Sequence, residues 1–172
     1  MRFYTARECE EWLTDRERVR PEQAPGILVE RLCYPPAPGR ILYCAHWIAS
    51  NTSYRMPVLL WITEWGIWRE NWHLYYKLRQ TYGDSRLLHE APGHLFLDYE
   101  MEDLASFLQL AMLNGWGGYI LTQADYVNAF FSHDEYIDFF ASHESNLADV
   151  REALVEKPAV RALATDPIVG NT

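Results

Sequence analysis

Histidine and carboxylate side chains carry most of the chemistry open to this chain, and two strings concentrate them. His89-Glu90-Ala91-Pro92-Gly93-His94 approximates the H-E-x-x-H of a zinc hydrolase, where two imidazoles one helical turn apart hold the metal and the Glu activates water. Here the spacing is one residue longer, and Pro92-Gly93 forbids a continuous helix. A metal would need two further ligands from elsewhere, so the expectation is a polar turn and no metal. Ser132-His133-Asp134-Glu135 places an imidazole beside two carboxylates, the makings of a general base with an orienting acid. The same residues spell a helix start, with Ser at the N-cap, Glu three positions on, and acids at the positive end of the macrodipole. The helix start is the reading adopted. A pocket of His73, His89, Glu90, His94 and His133 is the alternative, serving a small-molecule-binding protein or hydrolase. It requires at least three of these side chains to converge.

A second concentration is aromatic. Trp61, Trp65, Trp68 and Trp72 are followed by Tyr75, Tyr76 and Tyr82. Gly66 breaks the segment into strand, loop and helix, so part of the set belongs to the core. The stretch from Trp65 to Trp72, with Arg69, Glu70 and His73, has the composition of a protein-interface anchor. Gly115-Trp116-Gly117-Gly118 lacks the lysine of a phosphate loop and runs from helix to strand, where the helix dipole repels phosphate. Its glycines suit a left-handed helix cap and a close approach of Trp116 to the sheet. The sequence has no G-x-S-x-G, and no cysteine stands in an electropositive setting.

Charge is distributed unevenly. From Leu87 to Val150 there is no lysine or arginine, while these 64 residues carry eleven aspartates and glutamates. Glu100, Glu102 and Asp103 form one cluster with Asp98, and Asp134, Glu135 and Asp138 another. With a net charge of −9, the chain repels nucleic acid and anionic membrane and attracts basic partners. Cys9, Cys33 and Cys44 are an odd number in unrelated contexts, read as reduced thiols. The N-terminus turns acidic before an apolar signal region forms, and the longest apolar run, Pro57 to Ile62, is too short to span a membrane. The expectation is a cytoplasmic protein.

The elements that must position these residues follow from periodicity. Thr5-x-x-Glu8 is a capping box ahead of a helix over 6–16. Residues 17–39 hold five of the nine prolines and read as a connector with one short strand at Ile27–Leu32. Strands are expected at Ile41–Ala49 and Val58–Trp65, paired as a hairpin and buried on both faces, then a helix at Glu70–Tyr82 and a strand at Leu95–Asp98. Leu104, Phe107, Leu108, Ala111 and Met112 keep the spacing of an amphipathic helix ending at Asn114-Gly115. Strands at Gly118–Thr122 and Tyr126–Ser132, a helix from Ser132 to about Ser142, and a tail helix over 145–157 complete the order. This is one α+β domain, a mostly antiparallel sheet of four to five strands with helices packed on it. Its parts are an N-terminal helix (1–16), a connector (17–39), a core (40–144), and a C-terminal helix and tail (145–172).

Gly115-Trp116, Tyr119-Ile120-Leu121 and Phe130-Phe131-Ser132-His133-Asp134-Glu135-Tyr136-Ile137 together resemble small acidic bacterial proteins of unassigned function, with a G-W-x-x-Y-h-L strand and an S-H-D-E-aromatic segment. Some polymorphic-toxin immunity proteins are similar: small, acidic, Trp-rich and α+β. The resemblance carries no functional residue; the charge asymmetry and the aromatic clustering point to a non-enzymatic binding or inhibitor protein, immunity-like and with no cofactor, acting on a basic protein partner. The partner-binding residues assigned to that reading are Trp65, Trp68, Arg69, Trp72, Glu100, Glu102, Asp103, Asp134, Glu135 and Asp138. A structural role, with the tail helix and Ala159–Leu163 mediating oligomerisation, is a further alternative.

Overall fold

Among the described residues seven strands, all antiparallel, form one sheet, with five α-helices set along the chain between them. The computed structural model describes residues 1–16, 19–34, 37–52, 57–66, 72–123 and 126–156. The strands are β1 (Arg2–Tyr4), β2 (Leu28–Cys33), β3 (Val58–Glu64), β4 (Gly93–Phe96), β5 (Gly117–Thr122), β6 (Asn128–Phe131) and β7 (Tyr136–Ala141), and their order across the sheet is β1-β4-β3-β5-β6-β7-β2. The helices are α1 (Ala6–Thr14), α2 (Pro38–Thr52), α3 (Trp72–Thr81), α4 (Met101–Leu113) and α5 (Glu144–Arg151). The fold is α+β as expected, but the sheet is larger than four to five strands. Among the described residues no helix is long and apolar enough to cross a membrane.

Two expected elements are corrected. Ile41–Ala49 is not a strand but the middle of α2. Its buried residues Ile41, Cys44, Ala45, Ile48, Ala49 and Thr52 follow helical spacing, and Pro38 occupies the first position, where its missing N–H costs nothing. The expected hairpin between 41–49 and 58–65 therefore does not exist. The segment from Ser132 to Ser142 is not a helix but a tight turn followed by β7. Ser132 does use its hydroxyl as a local cap, accepting the Asp134 N–H at 3.1 Å. Its backbone N–H, however, closes on the Tyr136 carbonyl at 2.9 Å. Glu135 adopts φ +64°, the left-handed conformation that turns the chain back into β7.

The main core lies between one sheet face and α2 and α4, with Val58, Leu60 and Ile62 of β3 meeting Phe107, Leu108 and Ala111 of α4 and Ile48 of α2. The other face of β4, β3 and β5 is covered by α1, whose Cys9, Trp12 and Leu13 pack on Leu59, Trp61, Leu95 and Tyr119. Strand β3 is thus buried on both faces, as its unbroken apolar run requires. The capping box of α1 forms as read: Thr5 Oγ accepts the Glu8 N–H, and the Glu8 carboxylate accepts the Thr5 N–H at 2.7 Å. The tail helix spends its apolar face inside the protein, burying Leu147 and Val150. Residues 159–163, expected to join it in assembly, lie outside the described residues. Strand β2 is a free edge guarded by charges at its middle, Glu30 and Arg31.

Candidate functional site

At one end of the sheet the last residue of β3 reaches two strands sideways. Glu64 pairs with Gly117 of β5 across an irregularity that begins after Ile62. Its Oε2 then lies 2.8 Å from His133 Nδ1, in the turn between β6 and β7. The contact depends on a missing side chain, because a Cβ at Gly117 would stand 2.3 Å from Glu64 Oε2. The other ring nitrogen, Nε2, is 3.4 Å from Asp134 Oδ1. The Glu64 hydrogen bond, and then the Asp134 charge, raise the His133 pKa above its ordinary value. His133, about half exposed, thus stands between two carboxylates that favour its protonated form.

Trp65 follows Glu64 and forms the rim of an aromatic cluster that runs into the core. Its ring centroid is 5.1 Å from that of Trp116, 5.7 Å from Tyr75 and 6.4 Å from Trp72. Trp116 and Tyr75 are buried, while Trp65 and Trp72 are half-buried. The Trp72 indole N–H donates to the Trp65 carbonyl at 2.9 Å. Glu64, which precedes Trp65 in the chain, therefore links the end of β3 to the His133 turn, two segments far apart in the sequence. Trp68 and Arg69 lie outside the described residues. Glu64, the residue that joins the two segments, was missed by the sequence reading. Its signals were its place beside Trp65 and the side-chain-free lane at Gly117.

The remaining acids are mostly consumed inside the fold. Glu100 is buried, accepting the Leu97 N–H at 2.8 Å and pairing with the N-terminal ammonium of Met1. Asp103 accepts the Tyr82 hydroxyl. Asp138 is gripped by Arg31 through two hydrogen bonds of 2.7 Å, and that guanidinium lies 3.9 Å over the Tyr136 ring. Only Glu102 of these four is fully on the surface. The acidic cluster around Glu100 and the member Asp138 do not form an open docking face. Glu100 and Asp138 are buried anchors, Asp98 and Glu102 stay exposed, and the exposed carboxylates nearest the aromatic rim are Glu64, Asp134 and Glu135.

Comparison with protein-family models, curated proteins and solved structures finds no match.

The histidines of the alternative pocket sit in different surroundings. His73 is exposed on α3, and His89 is exposed in the turn ahead of β4. The Glu90 carboxylate closes that turn by accepting the Leu87 N–H at 2.9 Å. His94 is wholly buried in β4, its Nε2 3.3 Å from the Tyr75 hydroxyl. Among the described residues no three His, Cys, Asp or Glu side chains stand where they could share a metal ion. The His89–His94 string is a turn leading into a strand. Gly93 is there because a Cβ would strike Cys9 Sγ of α1 at 2.2 Å.

Chemically, the site at the sheet end presents charge rather than a reactive atom. The neighbouring Ser132 hydroxyl is buried and accepts the Asp134 N–H. The lane at Gly117 offers a selective probe. Gly117→Ala displaces chiefly the flexible end of Glu64, with a small adjustment where the new Cβ stands 3.2 Å from the Glu64 Cβ, so it should cost modest stability while separating the carboxylate from His133. The expected result is a His133 pKa that falls towards its ordinary value, near 6.5, read by NMR titration of the imidazole signals. An unchanged titration would mean that Glu64 does not set the charge on His133.

Proposed function

We propose that this chain is a non-enzymatic binding protein that receives an arginine- or lysine-bearing segment of a basic protein partner at the end of the sheet formed by Glu64, Trp65, Trp72 and the Ser132–Glu135 turn. One observation carries the reading. The Glu64–His133 contact gathers exposed carboxylates at the end of β3, where the chain runs on into the half-buried tryptophan rim. A guanidinium suits such a site because it pairs with carboxylate through a planar fork while stacking on an indole face. The protein uses that combination internally, where Arg31 lies over Tyr136 and grips Asp138. In its protonated form, which both carboxylates favour, His133 is a cation that an incoming guanidinium can replace without leaving the carboxylates unpaired. The net charge of −9 speeds encounter with a basic partner over a range that salt shortens.

The test is a selection from a random displayed-peptide library, followed by calorimetry of the enriched peptides. Arginine-containing peptides should be enriched. Their affinity should drop by at least about tenfold in the double variant Glu64→Gln, Asp134→Asn, the scale of one lost charged contact. Raising salt from about 50 mM to about 500 mM should weaken them similarly, as the Debye length shortens. Peptides without basic residues, or affinities that ignore both changes, would overturn the reading.

A further inference from the structure

A cavity of about 240 Å³ opens between the start of α2, the β2–β7 edge of the sheet and the turn that follows α5. Its walls are mixed, the apolar side chains of Leu32, Ile137, Phe139 and Leu154 facing the polar groups of Arg31, Tyr34, Arg40 and Tyr43, and no aspartate or glutamate lines it among the described residues. That is unexpected in a chain carrying a net charge of −9. Two arginines are in its lining. Arg31 is committed to Asp138, whereas Arg40 is exposed and has no ion-pair or hydrogen-bond partner for its side chain among the described residues.

The position of Arg40 sharpens the point. It lies in the first turn of α2, at the positive end of the helix dipole, where a cationic side chain is normally disfavoured. That turn contains no acidic residue, and Ala37 ahead of it has no side chain able to cap. Arg40 acts electrostatically on Cys44 one helical turn deeper, so its charge reaches the cavity wall. Positive potential at the rim and apolar side chains within describe a receptor for one kind of small molecule.

We propose that this cavity is a second binding site, independent of the sheet-end surface, for a small organic anion with an apolar body. Its carboxylate, sulfonate or phosphate would rest against Arg40 and the start of α2, and its hydrocarbon part would lie between Leu32, Ile137 and Phe139. The volume falls just below the usual range of ligand pockets, which limits the occupant to something of fatty-acid or aromatic-acid size.

Decanoate and decanol make a matched pair of probes, alike in chain and different in charge. Titrated into the isotope-labelled full-length protein, decanoate should shift the amide signals of residues 31–34, 40–44 and 137–139 saturably. The expected Kd is about 10–100 µM, the scale for a ligand of this size. Decanol should bind at least about tenfold more weakly, the size of one charge-assisted contact. Arg40→Gln, an exposed substitution with no packing to lose, should bring decanoate down to the level of decanol. A second readout needs no variant. Cys33 is exposed and lines the same cavity, whereas Cys9 and Cys44 are buried, so decanoate should slow alkylation of the native protein by iodoacetamide. The proposal is overturned if neither probe binds up to millimolar concentration, if both bind equally and Arg40→Gln changes nothing, or if the shifted signals map elsewhere with Cys33 unprotected.

Discussion

Asp84→Ala is expected to destabilise the protein by about 3–5 kcal/mol, the cost of leaving a buried charge without its partner. The charge in question is the Arg79 guanidinium, which is fully buried on the inward face of α3. Asp84 lies five residues on, past the turn that ends the helix, and its Oδ2 is 2.6 Å from Arg79 Nη2. The only other hydrogen bond the Arg79 guanidinium makes among the described residues is a long one, 3.5 Å to the Leu88 carbonyl, and its central carbon is 5.0 Å from the Phe3 ring. Without the carboxylate, the cation has neither water nor a counter-charge. Asp84 is itself over-determined. Arg86 donates to Oδ1 through its backbone N–H at 3.0 Å and its Nε at 2.9 Å. Burial pushes the Asp84 pKa up, but the hydrogen bonds from Arg86 and Arg79 outweigh it and hold the pKa at about 2.

The contrasting substitution is Arg79→Met. It removes the charge but keeps an apolar stem of similar length, and it leaves Asp84 paired with the half-exposed Arg86. Such a replacement should cost much less than Asp84→Ala, because buried ion pairs replaced by apolar groups are often near neutral. Urea unfolding followed by tryptophan fluorescence separates the two. With a slope of about 2 kcal/mol/M, Asp84→Ala should lower the midpoint by about 1.5–2.5 M. A loss below about 1 kcal/mol would mean that Arg79 finds water when Asp84 is gone.

Elements whose pattern admitted one period were legible in the sequence. The helix through Leu104, Phe107, Leu108, Ala111 and Met112 buries each of those residues, and Val58–Glu64 is a central strand. Ile41–Ala49 misled because it is apolar at nearly every position, which satisfies a strand and a helix alike. Pro38 and the Ile41, Cys44, Ala45, Ile48 series were the signals that favoured the helix. The segment after Ser132 misled for a different reason. A hydroxyl that caps a helix and one that caps a turn use the same residue type, and only the pairing of Tyr136–Ala141 between β6 and β2 decides between them. Strand β1, three residues long, carries no periodicity at all.

The site was half legible. Trp65, Trp72, His133, Asp134 and Glu135 were named from residue type, but the link between their two segments depends on β5 lying between β3 and β6, a non-local pairing that no window of sequence contains. The acidic clusters show the converse limit. Composition counts carboxylates without showing that Asp138 faces Arg31 or that Glu100 meets the chain's own N-terminus.

Protonation of His94 makes the same interior sensitive to acid. Burial first, and then the nearby Arg79 charge, push its pKa down to about 3. The Tyr75 hydroxyl, whose own ionisation burial suppresses, shares a hydrogen bond with Nε2, and the neutral imidazole sits between the Phe3, Tyr75 and Phe107 rings. In the unfolded chain the ring titrates near 6.5. Between these two values the unfolded state binds more protons than the folded one, so stability rises with pH. The contribution is fully present above about pH 6.5 and is lost, at up to ~1.4 kcal/mol per unit, as pH falls towards 3. Asp84 adds a second, lower window, because a depressed carboxyl pKa withdraws its support only below about pH 4. His133 works in the opposite sense, its raised pKa favouring the folded state at low pH, but its exposure keeps that term small. His94→Phe separates the windows. It preserves the aromatic packing at the cost of about 1 kcal/mol for the lost Tyr75 hydrogen bond. It should also flatten the dependence of stability on pH between about 6.5 and 4.5, where the native protein loses roughly 2–3 kcal/mol. Urea midpoints across that range decide the matter: curves that stay parallel for the two proteins would show that His94 is not the buried neutral group that makes this fold acid-labile.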